Sequence, residues 1–231
     1  MGKIRLSKRL TNVSEYVKKL GTLADIGSDH AQLPIYLVQN KNVSKAIAGE
    51  VAKGPFQVAK SEVESHALED KISVRFGDGL EILAPHEEVD TITICGMGGL
   101  LIGNILNEGI RQKILSKNTR LVLQPNNAEK ELRDFLQKSN YEIIAEDLVE
   151  ENHKFYEIIV AEYSEKNIQY TEIERTFGPL LLKEKSSTFY KKWEAELKTN
   201  KYIVEQLKNS KNSEKLKVTQ KIIHQIKKVL S

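Results

Sequence analysis

Cysteine is almost absent from this chain of 231 residues, which contains only Cys95. A single cysteine excludes a disulfide framework and any zinc or iron–sulfur site built from several cysteines. No apolar run approaches the roughly 20 residues that a membrane-spanning helix needs. The first ten residues, MGKIRLSKRL, are charged where a secretory signal would be apolar. We therefore expect a cytoplasmic protein with no membrane partner and no metal site.

Hydrophobic residues make up 40% of the sequence and charged residues 29%, a balance that favours a packed core over disorder. The net charge of +3 is unevenly spread. Residues 1–20 carry six basic and one acidic side chain, residues 21–164 carry 14 and 23, and residues 165–231 carry 15 and 8. Basic segments around an acidic middle suggest a bound polyanion, although lysines on helices often form only a solvated face.

The middle of the chain alternates short β-branched runs with helical stretches. An amphipathic pattern over 4–20 predicts an N-terminal helix before them. The alternation predicts a mostly parallel sheet with right-handed crossovers, and the last two strands lie too close in sequence for a helix, so they form an antiparallel pair at one edge. The predicted strands are 22–26, 45–49, 71–76, 90–95, 119–124, 142–149 and 155–163, and the helices between the first five are 31–40, 52–67, 98–116 and 127–139.

From about residue 165 the sequence becomes lysine-rich and has no strand-like run. Steps of three and four residues predict a coiled-coil seam with one polar position, formed by Tyr190, Trp193, Leu197, Asn200, Val204 and Leu207. After a polar break at 209–213, a second helix continues through Leu216, Ile223, Ile226 and Leu230. We predict an α/β domain over 1–164 and a helical antiparallel coiled-coil hairpin over 165–231, packed on itself or on the sheet domain.

The first strand leads into a turn of acidic and small residues, LADIGSDH. Turns between strand and helix are where doubly wound sheets bind nucleotide-like ligands. Gly27 lets the backbone approach a ligand, Ser28 follows it, and Asp25 is a candidate hydrogen-bond acceptor. This is not the G-x-G-x-x-G of dinucleotide sites, because Asp29 and Gln32 stand at the second and third glycine positions. Since Asp29 would repel a pyrophosphate, a cationic ligand such as S-adenosylmethionine is the better match.

Acidic residues also end the next two predicted strands. Glu50 ends the second strand, where a carboxylate commonly binds both ribose hydroxyls of a nucleotide, and Val51 follows it. Asp78 and Gly79 follow the third strand, where an adenine ring would lie. Each acidic residue by itself is as readily a helix cap or part of a loop. Three of them at the ends of three consecutive parallel strands favour an adenosyl ligand.

Glycine and amide residues end the fourth and fifth predicted strands. The run CGMGG, which includes Gly96 and Met97, permits close backbone approach by a substrate, or serves only a tight turn into the helix. Cys95 is either a small buried hydrophobe or a residue facing the pocket. Gln124 and Asn126, in QPNN, are suited to reading the edge of a base, although an asparagine here equally caps the next helix.

Six segments together resemble the bacterial tRNA (adenine-22-N1)-methyltransferase family: LADIGSDHAQLPIYL, GEVAKGPFQVA, ICGMGG, QPNN, KFYEIIV and FGPLLL. The resemblance covers most of the chain. It implies a Rossmann-like, class I, S-adenosylmethionine-dependent fold with a helical coiled-coil domain, methylating N1 of an adenine in the D-arm of tRNA. Carried over by motif, the cofactor contacts are Asp25, Gly27, Glu50, Asp78 and Gly96, and we add their neighbours Ser28, Val51, Gly79 and Met97 to this set.

Adenine N1 already has a lone pair, so its methylation needs orientation and desolvation more than a general base. We expect Asp29 and the Gly96–Gly99 loop at the transfer centre, with Gln124 and Asn126 near the base. The basic side chains near the N-terminus are candidate phosphate contacts: Lys3, Arg5, Lys8 and Arg9. The alternatives are a methyltransferase acting on a small molecule and a non-catalytic RNA-binding protein with this fold. The oligomeric state stays open, with a monomer plausible.

Overall fold

The computed structural model describes residues 4–85, 87–207 and 213–231. Within them the chain forms two compact units, the first ending at Tyr170 and the second beginning at Thr171. The division falls after the predicted boundary at residue 164, because the connecting segment is bonded to the first unit: Tyr170 N donates to Gln137 Oε1 at 2.6 Å, and Tyr170 Oη accepts from Ile143 N at 2.9 Å. Lys3 and positions 209–212 of the predicted polar break lie outside the described residues.

One seven-stranded sheet organises the first unit, in the order β3-β2-β1-β4-β5-β7-β6. The first five strands are parallel, and β7 runs antiparallel to both of its neighbours, β5 and β6. The predicted sheet and its antiparallel pair are therefore confirmed, with β7 inside and β6 at the edge. The strands are β1 (Thr22–Ile26), β2 (Lys45–Glu50), β3 (Ile72–Phe76), β4 (Thr91–Met97), β5 (Arg120–Pro125), β6 (Tyr141–Glu151) and β7 (Lys154–Tyr163).

Four helices follow strands β1, β2, β4 and β5 where the sequence predicts them: α2 (Gln32–Gln39), α3 (Lys53–Ser65), α4 (Gly99–Arg111) and α5 (Glu129–Lys138). The N-terminal helix, α1 (Lys8–Glu15), is shorter than the predicted 4–20. Ser7 is its N-cap, since the Ser7 hydroxyl accepts a hydrogen bond from Leu10 N at 3.2 Å. Ile4 and Leu6 still pack against the core, so their apolar spacing reflects burial of a non-helical segment.

The central strands are buried on both faces, as parallel strands covered by helices must be. Leu23, Ile92, Ile94 and Leu121 have at most traces of exposed surface. Burying such a side chain stabilises the fold by about 1.5–3 kcal/mol. The sheet is therefore a rigid base, and the side chains and loops at the carboxyl ends of β1, β2, β4 and β5 are held at one edge of it.

Gly99, the first residue of α4, permits a close approach between α4 and the loop before α5. Its N–H donates to Asn127 O at 2.9 Å, and a Cβ there would collide with the backbone oxygen of Ala128. We expect Gly99→Ala to cost about 1–3 kcal/mol of unfolding free energy, since backbone cannot move aside as a side chain can. The matched control is Gly103→Ala, whose Cβ would meet the Phe135 ring at an ordinary 3.5 Å. Denaturant unfolding of both variants tests this; equal stabilities would contradict it.

The second unit is helical: α6 (Glu172–Phe177), α7 (Leu181–Glu184), α8 (Ser187–Leu207) and α9 (Ser213–Leu230). The short α6 and α7 are not predicted by the sequence pattern. Helices α8 and α9 pack together, and Lys185, just before α8, donates to Val229 O near the end of α9 at 2.6 Å, so the two helices run antiparallel. No described helix has the length and apolar composition that crossing a bilayer requires.

The buried face of α8 differs from the predicted seam at one position, because of aromatic packing. Trp193 is buried as expected, with its ring centroid 4.3 Å from that of Phe177 and 6.2 Å from that of Phe189. Tyr190, also placed in the seam, is exposed, and its neighbour Phe189 takes the inner position. The reason is that the cluster around Trp193 rotates the buried face by one residue at the start of α8.

Candidate active site

A cavity of about 410 Å³ opens at the carboxyl ends of β1, β4 and β5. It lies where the strand order reverses, since β1 leads outward to β2 on one side and pairs with β4 on the other. Seven of the residues singled out in the sequence for cofactor or base line it: Asp25, Gly27, Ser28, Asp29, Gly96, Met97 and Asn126. Among the described residues, no group of three or more acidic, histidine or cysteine side chains is placed to hold a metal ion.

Asp25 is a buried carboxylate held by two hydroxyl groups. Its Oδ2 accepts from Ser28 Oγ at 2.6 Å, and its Oδ1 accepts from Thr93 Oγ1 at 2.5 Å. Burial raises the pKa of Asp25; the two hydroxyl hydrogen bonds oppose this, the Asp29 charge adds to it, and Arg9 lowers it. The orientation of Asp25 is thus fixed from within the protein, and its charge adds to the negative potential of the cavity.

Glu50 ends β2 and is 6% exposed. Its Oε1 is buried and has no hydrogen-bond partner among the described residues. Burial raises the pKa of Glu50, the backbone N–H of Asp29 lowers it, and the charges of Asp25 and Asp29 raise it. An unpartnered buried carboxylate oxygen is costly, so a hydroxyl donor from a ligand would stabilise it.

The loop after β1 has an unusual backbone. Gly27 has φ +68°. After Ser28, the three consecutive residues Asp29, His30 and Ala31 also have positive φ, of 45°, 66° and 56°. Left-handed conformations cost about 1–2 kcal/mol per non-glycine residue. The N–H groups of Gly27 and Ser28 both donate to Gly49 O, at 3.0 and 3.1 Å, which fixes the loop to β2. The strained turn leaves the Asp29 carboxylate largely exposed at the cavity.

Gly96 is held at both ends of its peptide unit by the QPNN segment. Its N–H donates to Gln124 Oε1 at 3.1 Å, and its carbonyl accepts from Asn126 Nδ2 at 2.7 Å. Gly96 has φ +78° and lies at a register shift between β4 and β5. Asn126 is exposed and lines the cavity. Gln124 is fully buried and is not part of the cavity lining. Its side-chain Nε2 donates to Pro125 O and Asn126 Oδ1. This placement favours a positioning role for Gln124 over contact with a base.

The basic residues of the N-terminal segment lie in different surroundings. Arg9 lines the cavity, where its Nη1 donates to Gln124 Oε1. Lys8 is bound to the β6–β7 hairpin through Glu151 Oε1 (2.6 Å to Lys8 N) and Glu150 O (3.1 Å to Lys8 Nζ). Arg5 is exposed. Arg9 is therefore part of the cavity wall, and helix α1, which carries it, packs against β6.

Asp78 and Gly79, two predicted cofactor residues, line a second cavity of about 190 Å³ with Leu101 and Ile105 of α4. They follow β3 at the same edge of the sheet as Glu50, since Phe76 is the register partner of Glu50 and Gly77 N donates to Glu50 O at 3.0 Å. Val51 is 61% exposed beside them. The predicted cofactor residues thus form a continuous series of strand ends that runs from β4 through β1 and β2 to β3.

The sequence alone does not place Tyr156 at the cavity. It lies on β7 and lines the larger cavity, with Arg9 Cζ 5.5 Å from its ring centroid. Apart from its part in the family resemblance, the KFYEIIV segment is interpreted from sequence only as a strand. Nothing local in it shows that β7 lies next to β5, which is what brings the ring to the cavity.

This strand order, with an antiparallel seventh strand and a cavity at the strand ends, defines a Rossmann-like methyltransferase. The model of the TrmK family, tRNA (adenine(22)-N(1))-methyltransferase, matches residues 23–228. The chain belongs to this family. The resemblance seen in the sequence is confirmed, and with it the predicted class of enzyme.

Three relatives place the chain more closely. The tRNA (adenine(22)-N(1))-methyltransferase of Bacillus subtilis (strain 168) is 45% identical over 221 residues, which are 94% of this chain and 92% of that protein. The structure of Streptococcus pneumoniae Sp1610 in complex with S-adenosyl-L-methionine has TM-score 0.89 and 42% identity, covering 98% of this chain and 100% of that one. The structure of M. capricolum TrmK in complex with S-adenosyl-homocysteine has TM-score 0.84 and 30% identity, covering 97% of both chains.

Cys95 lines the larger cavity and gives a chemical test of it. Burial raises the pKa of this thiol, the Asp25 charge raises it further, and Arg9 lowers it only in part. Because the thiolate is the reactive form, we expect slow alkylation by iodoacetamide at neutral pH that accelerates as the pH rises. The alkylated protein is expected to lose S-adenosylmethionine binding. Mass spectrometry and calorimetry measure the two effects, with Cys95→Ala as the unreactive control; an alkylated protein that binds normally would contradict the assignment.

Proposed function

We propose that this protein transfers a methyl group from S-adenosylmethionine to N1 of adenine 22 in tRNA, at the cavity where β1, β4 and β5 end. The observation that carries the proposal is the buried acidic series at the strand ends. Asp25 and Glu50 are both buried, burial raises the pKa of each, the Asp25 charge raises that of Glu50 further, and Glu50 Oε1 has no partner among the described residues. A ligand that is cationic and carries vicinal hydroxyls offsets both costs.

The residues present fit S-adenosylmethionine. Glu50 would hold the ribose hydroxyls, and the strand-end residues beyond it, Val51, Asp78 and Gly79, would receive the adenine. Gly27, with its left-handed backbone, leaves room for close approach, and Asp25 would face the positive part of the ligand with Ser28 beside it. The Gly96–Met97 backbone would border the reacting end. When bound, this cofactor supplies a methyl group attached to a positively charged sulfur.

The chain's own contribution is orientation and charge. Adenine N1 carries a lone pair, so no side chain has to remove a proton before it reacts. Asn126, exposed at the cavity, would contact the base, and Gln124 would keep Asn126 and Gly96 in place. Asp29, also exposed at the cavity, would offset the positive charge that appears on the methylated ring. In helical RNA, N1 faces its pairing partner, so the base has to leave the stack to reach this cavity.

Basic residues outside the cavity would bind the tRNA backbone. Arg5 is exposed, and the segment 165–231 carries 15 basic and 8 acidic side chains. Phosphate contacts of this kind weaken steeply with salt. We assign the sheet domain to methyl transfer and the C-terminal helical domain to tRNA binding, in the cytoplasm where tRNA is modified.

The test uses S-adenosylmethionine labelled in the methyl group and two transcripts of one tRNA, one with adenine at position 22 and one with guanine there. We expect label in the first transcript alone, released as 1-methyladenosine on nuclease digestion. Equal label in both transcripts would show another target nucleotide. Absence of label from both, with the cofactor bound, would overturn the proposal.

A further inference from the structure

We propose that the ring of Tyr156 is the surface on which the target adenine stacks. The inference rests on the proposed function and adds the residue that holds the base. Tyr156 lines the same cavity as Asp29, Gly96 and Asn126, so the ring borders the space in which the base and the reacting methyl group would meet.

The ring is held in place before any substrate arrives. Arg9 lies over it, with the guanidinium carbon 5.5 Å from the ring centroid. Arg9 Nη1 is fixed in turn by Gln124 Oε1, the same oxygen that accepts from Gly96 N. The tyrosine, the guanidinium and the Gly96 loop therefore form one connected wall, and a base that stacks on the ring is placed relative to Gly96.

Helix α1, which carries Arg9, is itself anchored to the strands next to Tyr156. Lys8 N donates to Glu151 Oε1 at 2.6 Å, and Asn12 Nδ2 donates to Asp147 Oδ2 at 2.7 Å. The residue after Tyr156, Glu157, is buried and paired with Arg133 of α5. Arg9 and Tyr156, the two members of this cation–π pair, are thus both attached to rigid structure, as residues that orient a substrate must be.

The chemistry favours the tyrosine ring over the guanidinium as the partner of the base. Unpaired RNA bases stack on aromatic side chains or on arginine planes. N1-methylation gives the adenine ring a positive charge, which the face of an aromatic ring attracts and a guanidinium repels. As the charge grows during transfer, contact with Tyr156 strengthens while contact with Arg9 would weaken.

The test compares three variants by kcat/KM for tRNA methylation, cofactor affinity and thermal stability. Tyr156→Leu removes the ring, Tyr156→Phe keeps it without the hydroxyl, and Phe155→Leu removes the neighbouring ring, which the strand's alternation places on the other face of the sheet. Base–aromatic stacking contributes about 1–3 kcal/mol, so we expect Tyr156→Leu to lower kcat/KM by about 5- to 150-fold. We expect Tyr156→Phe and Phe155→Leu to stay within about threefold of the wild type, and cofactor affinity to change by less than about twofold in all three.

Two results would overturn the inference: wild-type kcat/KM in Tyr156→Leu, or an equal loss in Tyr156→Phe, which would assign the effect to the hydroxyl. Inactivity of the wild-type protein on tRNA would be a failure of the proposed function instead. A second measurement is independent of turnover. With 2-aminopurine at position 22 of the tRNA, we expect brighter fluorescence in the Tyr156→Leu complex than in the wild-type and Tyr156→Phe complexes, because stacking on the ring quenches it. Equal brightness in all three would count against stacking.

Discussion

Replacing Glu50 with glutamine is expected to weaken S-adenosylmethionine binding by about 100-fold or more, without making the ligand-free protein less stable. A hydrogen bond to a charged group contributes about 1.5–3 kcal/mol, and a ribose presents two hydroxyls to one carboxylate. An amide keeps one acceptor oxygen and turns the other position into a donor. Since 1.4 kcal/mol corresponds to a factor of ten, loss of even one strong bond and the charge accounts for two orders of magnitude.

The raised pKa of Glu50 determines how the stability of the protein and its affinity for the cofactor change with pH. Burial raises the pKa of this carboxyl in the folded protein, so the folded state holds the proton more tightly than the unfolded state. The stability that protonation gives is therefore present at low pH and is lost as pH rises through the ordinary glutamate pKa toward the raised one. Glutamine removes that cost at neutral pH. In the proposed complex the ionised carboxylate of Glu50 accepts from the ribose, so in the wild-type protein we expect affinity to fall as pH is lowered through the raised pKa.

Calorimetric titration with the cofactor and thermal unfolding without it test the Glu50 prediction. Glu69→Gln is the matched control, because Glu69 is an exposed glutamate in the same unit. We expect its affinity and melting temperature to match the wild type. A Glu50→Gln protein that binds as tightly as wild type, or that unfolds at a much lower temperature, would refute the assigned role.

Arg133→Ala is expected to destabilise the protein by about 3–5 kcal/mol, the usual cost of removing one partner of a buried ion pair. Arg133 of α5 is fully buried between two carboxylates, with its Nε 2.8 Å and its Nη2 2.7 Å from Glu146 Oε1 on β6, and with Nη2 also bonded to Glu157 Oε2 on β7. Burial alone would lower the pKa of Arg133, but the charges of Glu157 and Glu146 outweigh it and raise that pKa. Alanine leaves both carboxylates buried without their cation.

A series of variants separates charge from packing at Arg133. Arg133→Met fills part of the space but leaves both carboxylates without the Arg133 guanidinium, so it should recover little stability. The triple change Arg133→Met, Glu146→Gln and Glu157→Gln removes all three charges and should recover most of it, because an apolar or neutral replacement of a buried ion group is often tolerated. Arg111→Ala, which breaks the exposed pair with Glu108, is the control and should change stability little. Urea unfolding measures all of them; a mild effect of Arg133→Ala would contradict the prediction.

Much of the fold follows from local pattern, because each strand and helix of the sheet domain satisfies its own hydrophobic period. Glu50 and Asp25 were predictable as candidate site residues because Glu50 is the last residue of β2, Asp25 is the next to last of β1, and the carboxyl ends of parallel strands meet at one edge. The shorter α1 shows the limit of this reasoning, since Ile4 and Leu6 are apolar through packing outside the helix. In α8, periodicity cannot tell Phe189 from Tyr190, because a cluster of three aromatic rings decides which one is inside.

The placement of Arg9 and Tyr156 at the cavity depends on contacts that no local pattern contains. Arg9 is basic and near the N-terminus, so charge alone assigns it to phosphate binding. Its hydrogen-bond partner within the protein, Gln124, is 115 residues away in sequence, and the ring beneath it lies on β7, whose place beside β5 follows from sheet pairing. The Gln124 amide, the Arg9 guanidinium and the Tyr156 ring are brought together by the order of the strands, so their contact cannot be predicted without that order.

The position of β7 between β5 and β6 has a consequence for biosynthesis. Residues 154–163 leave the ribosome after both of the strands that they separate, so β6 cannot take its final place until β7 is available to pair with β5. Tyr156 and the anchor for α1 arrive with the same hairpin. A nascent chain that ends before β7 has the acidic strand ends but neither the aromatic ring nor the anchored N-terminal helix, so the last strand of the sheet is also what completes the cavity.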